Sequence, residues 1–183
     1  MIIGITGTNG AGKGTVVDYL IQKGFKHYSV RGELVEEIKR RGLSVDRSSM
    51  REVGNDLRAK NGPSYFIERF FQLAAIEGAT DFVIESVRNV GEAEALKAKG
   101  GILFATDADR KLRYERIVHR DSETDKIDFA TWVAQEEREW GNTAAHDMDI
   151  PGVMARADYT IQNNGSLEEL HAQIDSILKK LGK

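Results

Sequence analysis

The chain of 183 residues has no cysteine, which excludes disulfides and thiolate metal sites. It has only two prolines, and the sequence places both, Pro63 and Pro151, at the starts of helices. Its four histidines, His27, His119, His146 and His171, never fall at metal-ligand spacing, so solvated or structural roles are expected for all four. No apolar run approaches the length of a membrane span. A basic surplus is missing too: the net charge is −3 and the pI about 5.9, which argues against a general nucleic-acid or membrane surface. The chain shows no internal repeat, low-complexity tract or linker. With a first strand from residue 2 there is no room for a signal peptide, and a cytoplasmic protein is the expectation.

What is present is an ordinary globular composition, 40% hydrophobic and 30% charged, in a length that suits one buried core. The chain is organised around Gly7-Thr8-Asn9-Gly10-Ala11-Gly12-Lys13-Gly14-Thr15. An apolar run precedes this stretch and a helical pattern follows it, the context a phosphate-binding loop requires. Glycines let successive backbone N–H groups turn toward one point, and the following helix adds its positive end. Lys13 can set a full charge on the outer phosphates. The usual pattern has Ser or Thr directly after the lysine, as a Mg²⁺ ligand. Here Gly14 takes that slot and Thr15 comes next.

Downstream, short apolar strands alternate with helices. Strands are expected at residues 25–30, 81–85, 102–106 and 159–162, and helices over 31–42, 46–60, 92–99, 109–120, 127–140 and 151–156, with another that starts at Pro63 and carries Phe66, Ile67, Phe70, Phe71 and Ala74 on one buried face. Ser166 and Glu169 form a capping box for a last helix to residue 181. Residues 119–126 are polar without an apolar stripe, which suits an exposed, mobile segment. The alternation implies a five-stranded parallel sheet with helices on both faces. In such a sheet ligands bind beyond the carboxyl ends of the strands. Charged residues lie there: Arg31 and Glu33 after strand two, Glu85 and Arg88 after strand three. Glu85 closes its strand as the acidic residue of a Walker B motif does. It would hold Mg²⁺ through water, or orient Lys13 or an acceptor. At 100° per residue Arg47, Arg51 and Arg58 point within about 40° of one another, and Arg113, Arg116 and Arg120 within about 60°. Rows of guanidinium groups suit phosphate oxygens. A basic helix joined to a polar segment is what a closing lid needs.

The loop variant Gly-x-x-Gly-x-Gly-Lys-Gly-Thr resembles that of P-loop nucleoside monophosphate kinases of the adenylate-kinase-like type. Residues 83–88, 51–58, 113–120 and 157–166 are similar to that family's segment after strand three, acceptor-binding helix, lid start and last strand with its turn beside the adenine. Glu85 stands for a more common aspartate and Ser86 for a glycine. The resemblance implies one P-loop NTPase-fold kinase domain over residues 1–183, with a helical acceptor-binding region at about 31–79 and a short lid at about 113–141. It implies ATP with Mg²⁺, and a small-molecule nucleotide as partner. Asn9, Gly10, Ala11, Gly12, Lys13, Gly14, Thr15 and Asn163 would bind ATP, with Thr15 and Glu85 near the Mg²⁺ through water. Arg31, Glu33, Arg51, Asn55, Arg58 and Arg88 would hold the acceptor. Lys13, Glu85, Arg88, Arg116 and Arg120 would act on the transferred group. Two alternatives stay open: a kinase of a hydroxyl acceptor, with Glu33 or Glu85 taking the proton, and a non-enzymatic ATP-binding switch.

Overall fold

A computed structural model describes residues 1–120, 128–138, 140 and 147–183, apart from the side chains of Arg120, Gln135 and Arg138. Five strands, β1 (Ile2–Gly7), β2 (Lys26–Ser29), β3 (Phe82–Glu85), β4 (Ile102–Asp107) and β5 (Tyr159–Gln162), form one parallel sheet in the order β2-β3-β1-β4-β5. The described helices are α1 (Lys13–Gln22), α2 (Val30–Arg40), α3 (Arg47–Asn61), α4 (Tyr65–Glu77), α5 (Val90–Ala98), α6 (Arg110–Arg120), α7 (Phe129–Arg138), α8 (Ile150–Met154) and α9 (Leu167–Lys180). The expected elements are found, with ends moved by one to two residues. No described helix is long and apolar enough to cross a membrane.

Strand alternation sends successive side chains to opposite faces, and each face has its own core. Ile3, Ile5, Val83, Phe104 and Ile161 pack against α1 and α9. Phe82, Ile84 and Leu103 pack on the other face with the apolar stripe of α4, Phe66, Ile67 and Phe70, and with Leu34, Ile38 and Val53 from α2 and α3. Burial on both faces is why the strands read as apolar runs rather than alternating ones. Caps fix the helix starts: Asp46 accepts from the Ser49 N–H at 2.8 Å, and Ser166 and Glu169 close the expected capping box.

The topology positions the site. From central β1 the chain goes to one side for β2 and β3, then to the other for β4 and β5. The carboxyl end of β1 therefore opens into the crevice where ligands of doubly wound sheets bind.

Candidate active site

Residues 7–13 run from β1 into α1 through three glycines with positive φ: Gly7 at 137°, Gly10 at 79° and Gly12 at 93°. These angles are open to glycine and costly for other residues. Space demands glycine as well. A Cβ on Gly7 would sit 2.0 Å from the Thr106 carbonyl oxygen, and one on Gly10 2.4 Å from that of Arg113. At Gly12 it would meet Asn163 Nδ2 at 2.2 Å, whereas Gly14 faces open space. Lys13 folds back over the loop, donating to the carbonyls of Gly7 at 2.9 Å and Thr8 at 2.7 Å. Those carbonyls hold the ammonium at the loop's concave side, from which it can turn to a phosphate. Thr8 Oγ1 donates to Asp107 Oδ1 at 2.7 Å, tying the loop to the end of β4.

Asn163 reaches the loop, though as a brace. Its Nδ2 donates to the Ala11 carbonyl at 2.8 Å, and the side chain is buried. That amide supports the loop from behind.

Glu85 sits at the carboxyl end of β3, opposite Ile5 of β1 and Ser29 of β2. Its Oε2 is 3.1 Å from His27 Nε2 and accepts from Ser29 Oγ at 3.4 Å. The hydrogen bond from His27 holds the carboxyl below its usual value of 4.5; burial opposes this, and the charges of His27 and Lys13 assist. His27, expected to be structural or solvated, pairs with Glu85 in this cluster. The available signal was its place two residues before Ser29, on the same face of an edge strand whose end meets Glu85.

Ser86 follows in the left-handed region, φ 69°, while the Val87 N–H bonds the Ile5 carbonyl at 3.0 Å. A buried serine thus holds a conformation that glycine would occupy without strain.

The arginines divide by partner. Arg58 turns inward: its Nε donates to Glu92 Oε1 at 2.7 Å, and it lies over the Phe66 ring. It was expected to grip an acceptor phosphate, and burial beside a carboxylate removes it from that task. Glu92 also accepts from the N–H groups of Arg88 and Asn89, so this pair fixes the turn carrying Arg88. Glu33 is held by Arg69 at 2.7 and 3.3 Å. Asn55 donates to Asp147 at 2.8 Å, leaving its buried Oδ1 without a donor among the described residues. Arg113 was expected in one outward row with Arg116 and Arg120. It is buried instead, bonded to Glu136 and to the carbonyls of Asn9 and Ala108. Arg116 is half-buried, with one guanidinium nitrogen sealed from solvent and unpartnered among the described residues. The Arg120 side chain and residues 121–127, 139 and 141, part of the expected lid, lie outside the described residues.

Arg31 and Arg51 keep no carboxylate partner among the described residues. Arg31 opens α2 and reaches Met50 Sδ at 3.8 Å, which brings it beside the neighbour of Arg51 on α3. Among the described residues no three His, Asp or Glu side chains gather as a metal cage. The donors present, Thr15 and Glu85, fit a cation that keeps its water and takes phosphate oxygens, as Mg²⁺ does.

A parallel sheet in this order, with a glycine loop and lysine leading into α1, defines a P-loop NTPase fold of kinase-like architecture, and with it a nucleotide-binding domain. The chain belongs to the AAA domain family, AAA_18, whose profile matches residues 3–149. It is 30% identical to a UPF0200 protein of Thermococcus kodakarensis, over 99% of this chain and 100% of that one. To a UPF0200 protein of Pyrobaculum aerophilum it is 28% identical, over 98% of each. Among solved structures, a Thermus thermophilus protein superposes with a TM-score of 0.62 at 20% identity, covering 99% of this chain and 97% of that one. The shikimate kinase of Bacteroides thetaiotaomicron gives 0.56 at 13% identity, over 98% of each chain. These structural likenesses concern the fold.

Proposed function

We propose that this protein is an ATP-dependent kinase that phosphorylates a nucleoside or deoxynucleoside monophosphate, giving the diphosphate and ADP. Asn9, Gly10, Ala11, Gly12, Lys13, Gly14 and Thr15 cradle the triphosphate, and Thr15 and Glu85 would hold Mg²⁺ through water, which would neutralise phosphate charge. The acceptor phosphate lies against Arg31, Arg51 and Arg88, and Arg116 and Arg120 close over the transferred group from the lid. An acceptor oxygen attacks the γ-phosphorus as the bond to the ADP oxygen breaks. The acceptor is already an anion, so alignment and charge neutralisation carry most of the catalysis.

One observation carries this reading. Arg40, Arg41, Arg58, Arg69 and Arg113 are matched to carboxylates, while Arg31 and Arg51 have none among the described residues, and Arg31 reaches Met50, the residue before Arg51. Arginines not already held by a carboxylate keep their N–H donors for an anion such as a phosphate. An ADP-release screen over all NMPs and dNMPs tests it. Turnover above background hydrolysis, with a raised KM for the acceptor in Arg51→Ala, is expected. Silence across the panel overturns it.

A second reading has its own observation: the Glu85 carboxylate stands at the carboxyl end of β3 beside His27, where it could take a proton from a hydroxyl acceptor. The structural neighbour named shikimate kinase fits this alternative. Glu85→Gln separates the two. A loss that excess Mg²⁺ restores supports a phosphate acceptor; a loss of about 100-fold or more that Mg²⁺ does not restore, within the usual span for general-base catalysis, supports a hydroxyl.

A further inference from the structure

Arg113 is 3% exposed and reaches three parts of the chain at once. Its Nε donates to the Ala108 carbonyl at 2.9 Å, at the root of α6. One terminal nitrogen donates to the Asn9 carbonyl of the phosphate loop at 3.0 Å and also to Glu136. The other meets Glu136 at 3.2 Å. Glu136 is 1% exposed and comes from α7, and Trp132 of the same helix lies under the guanidinium, 5.1 Å from carbon to ring centre. The backbone closes the contact, because Gly10 has its missing side chain 2.4 Å from the Arg113 carbonyl oxygen. The peptide between Asn9 and Gly10 therefore rests on the first turn of α6.

We infer that α7 is a working part of the nucleotide site: Arg113 and Glu136 are positioning residues that set the shape of the phosphate loop, and filling that loop is linked to docking of α7. The inference rests on the nucleotide reading given above and goes beyond it, since neither residue touches the phosphates. The physical reason is the shared guanidinium. Undocking α7 takes the Glu136 carboxylate away and strands a buried charge, so Arg113 must move toward water. Its hold on the Asn9 carbonyl goes with it, and the loop loses the restraint that aims its N–H groups. Conversely, a triphosphate that fixes the loop keeps the Asn9 carbonyl where Arg113 needs it. Such linkage is reciprocal: α7 docking and ATP binding strengthen each other by one factor.

Hydrogen exchange of peptides covering residues 129–138, measured on the full chain with and without ATP and Mg²⁺, tests this beside ATP calorimetry. In the wild type, ATP is expected to slow exchange in α7 by about fivefold or more, a modest coupling by general standards. Glu136→Gln, which keeps the side-chain volume, should exchange fast in α7 whether or not ATP is present. Arg113→Lys, which keeps the charge but cannot satisfy three acceptors, should bind ATP about tenfold more weakly. Wild-type protein that binds ATP without protecting α7 overturns the inference. So do variants that melt earlier yet keep wild-type ATP affinity and ATP-dependent protection, the mark of a purely structural pair. A wild type that binds no ATP overturns the nucleotide reading itself, and this inference with it.

Discussion

Arg58 Nε donates to Glu92 Oε1 at 2.7 Å, with the two side chains 2% and 0% exposed. The other Glu92 oxygen accepts from the N–H groups of Arg88 at 3.0 Å and Asn89 at 3.2 Å. An ion pair inside the protein thus anchors the turn between β3 and α5. Removing one partner leaves a buried charge unmatched, at a cost of about 3–5 kcal/mol. Arg58→Met should lower the unfolding free energy in urea by about that much. The double variant Arg58→Met with Glu92→Leu should regain part of it, less the two lost backbone bonds. Unchanged stability in Arg58→Met would mean that the arginine serves a ligand instead.

Lys13 donates to the Gly7 and Thr8 carbonyls of its own loop through part-buried bonds, so its loss touches the loop and not the core. Lys13→Ala is expected to melt near the wild-type temperature and to lose about 100-fold or more in ADP-releasing turnover, the scale of a missing transition-state donor. A loss below about threefold would contradict its role.

Two glycines in one loop should answer substitution oppositely. Gly12→Ala places a methyl 2.2 Å from Asn163 Nδ2 at φ 93°, and is expected to destabilise the fold and weaken ATP binding. Asn163→Ala in that background should relieve the clash but not restore wild-type stability, because the left-handed strain of about 1–2 kcal/mol persists and the bond to the Ala11 carbonyl is lost. Gly14 faces open space in the first turn of α1, so Gly14→Ala should gain up to about 1 kcal/mol of stability. Calorimetric melting of the three variants checks the ordering.

The Glu85 carboxyl is held below its usual value of 4.5, chiefly by the hydrogen bond from His27. A lowered folded value means that the group stabilises the protein above the unfolded value. That contribution fades as acid titrates the folded carboxylate. Wild type should therefore lose stability relative to Glu85→Gln as pH falls from 5 toward 3. Urea midpoints across that range that stay parallel would show that no such shift exists.

Ser86 occupies φ 69° beside Glu85, and Ser86→Gly should relieve part of a strain of about 1–2 kcal/mol, offset by the greater freedom of glycine in the unfolded chain. A net rise in stability of about 0.5 kcal/mol or more in thermal melts is expected. A fall would show that the Ser86 hydroxyl contributes more than the strain removes.

The sequence by itself determined the parts that repeat locally: the alternating strands and helices, the capping residues Asp46 and Ser166, and the glycine loop with Lys13. Each follows from spacing within a few residues, where backbone geometry and side-chain period act directly. Helical angles grouped Arg113 with Arg116 and Arg58 with Arg51, yet Arg113 and Arg58 are buried on carboxylates. What angles within a single helix could not carry was the identity of the neighbour. Glu92 is 34 residues from Arg58 and Glu136 is 23 from Arg113, and only the packing of α5 and α7 brings those carboxylates to the guanidinium groups. The same holds for His27, joined to Glu85 by the parallel register of β2 and β3, and for Asn163, which reaches the loop across β4. Tertiary structure decided which charges were matched inside, because a buried charge finds its partner through contact in space, whatever the distance along the chain.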